Sequence, residues 1–174
     1  MSEPVTSHPR GTMSPLGALL SAAVVVALLD GLEAVIFFGL RGTPPMRIFQ
    51  FVAGGLLGRE ALEGGVATFA LGLLCHFAVA LSIASVYFLA SRWLPVLRER
   101  PVLCGIAYGI VAFFVMHFVV VPLSAAPTGA GRSAWPILVN GVLGHMFLVG
   151  LPIALFAARV RPRPAAGAAL PAQA

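Results

Sequence analysis

Hydrophobic positions along the chain group into four long apolar stretches, and most of the charged residues and prolines lie between them. The stretches cover about residues 16–40, 65–89, 102–124 and 135–160. Each exceeds the roughly 20 helical residues that cross a hydrocarbon core about 30 Å thick. The pattern therefore predicts an all-α integral membrane protein built as a bundle of four transmembrane helices.

A fifth apolar segment, residues 46–58, is too short to cross a bilayer. We expect it to form an interfacial or re-entrant helix between the first and second spans. Its larger apolar side chains are predicted on one broad side, with Arg47 and Gln50 opposite them. These apolar side chains are Ile48, Phe49, Phe51, Val52 and Leu56.

Small residues four positions apart predict where two of the spans pack closely against their neighbours. Ala80 and Ala84 form such a pair in the second span, and Gly105 and Gly109 form another in the third. Pro122 and Pro152 are expected to end or kink their helices, because proline lacks an N–H donor.

The two ends of the chain differ from the apolar segments. Residues 1–14 are polar with scattered Pro, and residues 161–174 are rich in Ala and Pro, so both are predicted to be disordered tails. This leaves residues 15–160 as a single transmembrane domain. The first span is not typical of a cleaved secretory signal, because its apolar core is long and carries Asp30 and Glu33.

Composition agrees with this class and indicates an orientation. The chain is 59% hydrophobic and 10% charged, and its net charge of +5 comes from eleven Arg, without Lys, against six acids. Most Arg lie at span ends, which indicates topology signals rather than a surface for nucleic acid. Because the side with both termini holds more of them, both termini are predicted to be cytoplasmic, in a bacterial inner membrane.

Ionisable side chains inside the spans define the candidate site. A carboxylate at the bilayer centre costs about 2.5–3.5 kcal/mol on insertion scales, so Asp30 and Glu33 must face something other than lipid. Counting 1.5 Å per residue places them and one histidine from each other span roughly 10–16 Å from the non-cytoplasmic side. The predicted intramembrane polar cluster consists of Asp30, Glu33, His76, His117 and His145, with Asn140 and Cys75 as supporting residues.

This cluster is compatible with several functions. A chain of carboxylates and imidazoles suits proton-coupled or small-solute transport. Alternatively, His76, His117, His145 and Glu33 suit a transition metal, or two of the histidines a haem. A third alternative is a structural or interaction protein whose polar cluster only fixes helix packing.

Sequence motifs do not decide among these functions. The chain contains neither HExxH nor CxxCH, so no motif requires a cofactor, and no motif for nucleophilic catalysis indicates an enzyme. The two cysteines, Cys75 and Cys104, are expected to be unpaired. Since four spans make a narrow bundle, a transport path predicts a homo-oligomer embedded in the lipid bilayer.

Four segments read together indicate a resemblance. They are AGGLLGREALEGG at residues 53–65, LGLLCHF at 71–77, VVVPLSAAP at 119–127 and GHMFLVGLPIAL at 144–155. They resemble a group of small uncharacterised inner-membrane proteins of bacteria of about this length. The resemblance covers about residues 15–160 and implies four spans and a bacterial origin. It implies no activity, substrate or catalytic residue.

Overall fold

A computed structural model describes residues 12–127 and 134–160, and these residues form an all-α bundle. The helices are α1 (Pro15–Gly39), α2 (Pro45–Leu57), α3 (Gly65–Ala90), α4 (Val96–Glu99), α5 (Pro101–Leu123) and α6 (Trp135–Ala158). Helices α1, α3, α5 and α6 are long and apolar enough to cross a membrane, which confirms the predicted bundle of four spans. The predicted tails lie outside the described residues, except for residues 12–14.

Local sequence signals explain where α1 begins and ends. The Ser14 hydroxyl accepts a hydrogen bond from the Gly17 amide at 3.1 Å, and Pro15 occupies the first helical turn, where its missing N–H costs nothing. After the helix, Gly42 adopts a φ of 86°, a left-handed conformation that favours glycine. Proline follows at positions 44 and 45 and begins α2.

Helix α2 packs against α3 through a face that includes a polar residue. The Gln50 amide is 4% exposed and donates to the Gly65 carbonyl at 3.0 Å and to Thr68 Oγ1 at 3.3 Å. Phe51 and Leu56 are exposed instead, so the side of α2 that carries Gln50 faces the protein, together with Phe49. The physical reason is that apolar side chains suit lipid, whereas a buried amide needs a protein partner.

A buried hydrophobic cluster lies in the half of the bundle where Met13 and Val160 meet. It joins the start of α1, the end of α3 and the end of α6, and half of its residues are Ala, with Val26, Tyr87 and Ile153 among the others. The Met13 amide donates to the Arg159 carbonyl at 3.0 Å, which ties the two ends of the domain together. The Tyr108 hydroxyl of α5 donates to the Ile83 carbonyl of α3 at 2.7 Å and closes the ring of spans.

Glycines bring α5 and α6 into backbone contact. A methyl group added at Gly109 would collide with the carbonyl of His145, and one at Gly150 would collide with the carbonyl of Gly105. Gly105 and Gly109 are both buried, so they form the close-packing face that their spacing predicts.

Two spans change their helical geometry before a proline. Residues Met116–Val120 of α5 and His145–Gly150 of α6 are π-helical, and Pro122 and Pro152 follow them. The Val121 amide donates to the Met116 carbonyl and the Leu151 amide to the Met146 carbonyl, both five residues back. Proline offers no N–H to the carbonyl four residues before it and crowds that carbonyl, so each helix widens locally instead of ending.

Candidate intramembrane polar site

The polar contact that joins two spans at the candidate site is a side-chain hydrogen bond between α1 and α6. The Asn140 amide nitrogen Nδ2 donates to Glu33 Oε1 at 2.6 Å. Gly144, one turn after Asn140, lies beside the other carboxyl oxygen: a methyl group there would make an ordinary contact with Glu33 Oε2 at 3.7 Å. Both Glu33 and Asn140 are half-buried, so the carboxyl group remains accessible from one side.

Asp30 lies one turn before Glu33 on α1, also half-buried and close enough to interact with Glu33 electrostatically. Two carboxylates at this spacing repel each other when both are ionised. Asp30 and Glu33 therefore place two acidic side chains close together on α1.

His76 of α3 contacts α1 at a different place. Its Nε2 lies 2.9 Å from the Ala27 carbonyl oxygen, and since a carbonyl only accepts, Nε2 carries the proton. Gly31 makes this approach possible: a methyl group at Gly31 would lie 3.2 Å from His76 Nε2. The Phe49 ring packs edge-on against the imidazole, with ring centroids 5.7 Å apart.

His76 and Glu33 occupy different sides of α1. Gly31, which seats His76, precedes Glu33 by two residues, and at 3.6 residues per turn the two directions differ by about 160°. The chain thus places the imidazole of α3 on one side of α1 and the carboxyl–amide pair on the other.

His117 and His145 lie at the interface of α5 and α6 and share one aromatic neighbour. The Phe113 ring stacks on the His117 imidazole, with centroids 5.3 Å apart, and meets the His145 imidazole edge-on at 5.4 Å. Gly141 provides the space that the Phe113 ring occupies. Nδ1 of His145 donates to the Gly141 carbonyl of its own helix at 3.0 Å, and His117 is buried.

The predicted cluster is therefore distributed over three places. Glu33 is joined to Asn140 with Asp30 nearby, His76 sits against Ala27, and His117 and His145 contact Phe113. Within residues 12–127 and 134–160, no three His, Cys, Asp or Glu side chains are grouped so that they could hold a metal ion. Cys75 and Cys104 are free thiols.

Three residues at these places have no role in the sequence-based prediction. They are Gly31, Phe113 and Gly141. A glycine inside a helix is unfavourable relative to alanine. Gly31, beside Asp30, therefore does indicate in the sequence that a neighbouring helix approaches α1 closely there. Phe113 carries no such signal, because a phenylalanine in an apolar span is typical of any lipid-facing or packed position.

The four apolar helices define the class of this chain: it is a multi-pass membrane protein. No protein-family model, no curated protein and no solved structure matches it.

Proposed function

We propose that this chain is a membrane transport protein whose path for a small solute also conducts protons, which bind at Glu33 with Asn140 and Asp30. The observation that carries the proposal is the Glu33–Asn140 hydrogen bond, which joins two spans through an ionisable group that stays half-buried. Ionisable residues inside membrane spans commonly serve proton or ion pathways, because holding them there is costly.

The position of Asn140 supports this role. Asn140 lies in α6 five residues before His145, where the π-helical segment begins. Segments of π-helix are frequent at functional sites, and a helix interrupted in this way bends there more easily than a regular one. Protonation of Glu33 changes the strength of its bond to Asn140, so it alters the force between α1 and the first half of α6.

The alternative of a structural protein is supported by the same bond, since a hydrogen bond between helices also fixes their rotation. The metal and haem alternatives have less support. The donors His76, His117, His145 and Glu33 lie at three separate places, and a phenyl ring packs on both His117 and His145.

We also propose a setting for this function. The surplus of Arg on the side of the chain ends supports cytoplasmic termini. The four quoted segments support a bacterial inner membrane, within the group of small four-span proteins that they resemble. A homo-oligomer with lipid around it would give the four-span bundle the width that a solute path needs.

The proposal is tested by measuring proton entry into liposomes that contain the purified full chain. A potassium gradient with valinomycin drives protons inward, and a trapped pH-sensitive dye reports them. We expect flux well above that of protein-free liposomes, and a decrease of at least tenfold in Glu33→Gln. Glutamine keeps an oxygen that accepts from Asn140 but cannot carry a proton.

Glu99→Gln is the matched control, because it removes a carboxyl group from α4, outside the spans. It should leave the flux unchanged. A wild-type flux equal to that of empty liposomes, or equal fluxes in wild type and Glu33→Gln, would overturn the proposal and leave the structural alternative.

A further inference from the structure

A groove runs along the surface of the bundle between α1 and α3, with α2 at one end. Its volume is about 390 Å³, within the range of small-molecule sites, and nearly all of its lining is apolar. On α1 it is lined at roughly one-turn intervals by Val24, Leu28, Leu32 and Val35. His76, Phe77 and Phe49 line the other side.

The groove opens toward the membrane. Leu28 is 67% exposed and Leu32 is 59% exposed, and both belong to a helix that crosses the bilayer. Whatever enters the groove therefore comes from the hydrocarbon layer. His76, eleven residues into α3, places one polar group roughly 16 Å from the start of that helix, near the bilayer centre.

The imidazole of His76 has a defined hydrogen-bonding capacity. Because Nε2 donates its proton to the Ala27 carbonyl, the neutral ring leaves Nδ1 with a lone pair that accepts. Among the described residues the structure gives Nδ1 no donor. An acyl chain in the groove would leave this acceptor without a partner, which is unfavourable in a medium without water.

We propose that the groove between α1 and α3 binds a lipid-soluble aromatic alcohol of the hydroquinone class, whose hydroxyl group donates to His76 Nδ1. The Phe49 ring, which packs against the imidazole, and Phe77, which also lines the groove, suit an aromatic head. The row of aliphatic side chains on α1 suits an apolar tail that lies along the helix. This site is separate from Glu33, which lies on the other side of α1.

The test uses the full chain in phosphatidylcholine nanodiscs and a hydroquinone with a decyl tail, titrated by calorimetry against empty nanodiscs. We expect saturable binding of one molecule per chain. The dimethyl ether of the same compound has the same ring and tail but no hydroxyl donor, so its affinity should be about tenfold lower. The preference should disappear in His76→Phe, which keeps an aromatic ring beside Phe49.

A second variant keeps the test decisive if His76→Phe fails to fold. Leu28→Trp fills the groove from its exposed side and should abolish saturable binding. Ile36→Trp adds the same bulk at an exposed position of α1 that does not line the groove, and it should bind as wild type does. Non-saturable uptake, or equal affinity for the hydroquinone and its ether, would mean that the groove holds only bilayer lipid and would overturn the inference.

Discussion

Asn140 is the side chain that makes a carboxyl group tolerable inside this bundle. Its amide donates to Glu33 at 2.6 Å from the first, otherwise apolar segment of α6, Trp135–Gly144. Asn140→Ala removes the amide and leaves the half-buried Glu33 without this donor. Glu33→Gln removes the carboxyl charge but leaves Asn140 an oxygen that accepts its hydrogen bond. The two substitutions therefore separate the packing role of the pair from its ionisation.

At the residue scale we predict that Asn140→Ala lowers the free energy of unfolding by about 0.6–1.7 kcal/mol, which runs from the average to the largest value typical of hydrogen bonds between membrane helices. Glu33→Gln should change stability by less. Unfolding by increasing SDS, followed by circular dichroism, provides the measurement. Equal stability of Asn140→Ala and wild type would show that the bond does not hold α1 and α6 together.

Counting along the sequence predicts a depth for each site residue, but it gives no direction for the side chain. Counting residues from the span ends places Glu33 and His76 in one layer. Which side of α1 each one meets depends on how α3 and α6 pack around it. Gly31 sets that arrangement by admitting the imidazole, and its effect depends on a neighbour that is 45 residues away in the chain. The Glu33–Asn140 contact similarly joins residues 107 positions apart.

At the element scale, the pairing of α5 with α6 depends on glycine more than on large side chains. Gly109 lies against the backbone of His145 and Met146, where no side-chain rotation can relieve a collision. This contact holds the first π-helical residues of α6 in place. The spacing of four residues made the Gly105–Gly109 face predictable. The π-helical geometry was not predictable, because a proline in a span is equally compatible with a kink or an end of the helix.

We predict that Gly109→Ala destabilises the bundle by about 1–3 kcal/mol, the usual cost of forcing extra volume into a packed interface. Gly39→Ala is the matched control, since a methyl group there has open space around it. Both variants can be compared by SDS unfolding in the same micelles. Similar losses in the two variants would show that loss of glycine itself, rather than the contact with α6, is responsible.

At the scale of the whole molecule, the bundle is packed unequally along its length. The continuous buried cluster lies where Met13 and Val160 meet, while His76 of the candidate site lies nearer the short helix α2 and contacts its Phe49 ring. The number of spans, their ends and the short helix α2 followed directly from apolar run lengths. The uneven packing along the bundle could not be predicted from the sequence. It depends on contacts between helices that Ala and Gly make without any distinctive local pattern.

The orientation of the chain can be checked with single cysteines in a background of Cys75→Ala and Cys104→Ala. The two test variants are Thr12→Cys and Thr43→Cys. Thr12 lies just before α1, and Thr43 lies in the turn between α1 and α2. With cytoplasmic termini, a membrane-impermeant maleimide should label position 43 in spheroplasts and position 12 only after lysis. The reverse labelling pattern would place the termini outside.

The glycine at position 31 has a consequence for how two distant events could be linked. Helix α1 contacts the His76 imidazole on one side and carries the Glu33 carboxyl group on the other. A small rotation of α1 about its axis therefore changes both contacts together. A ligand in the groove and a proton on Glu33 would therefore both act on the same helix. Through such a rotation of α1, the composition of the surrounding bilayer would affect the Glu33–Asn140 hydrogen bond.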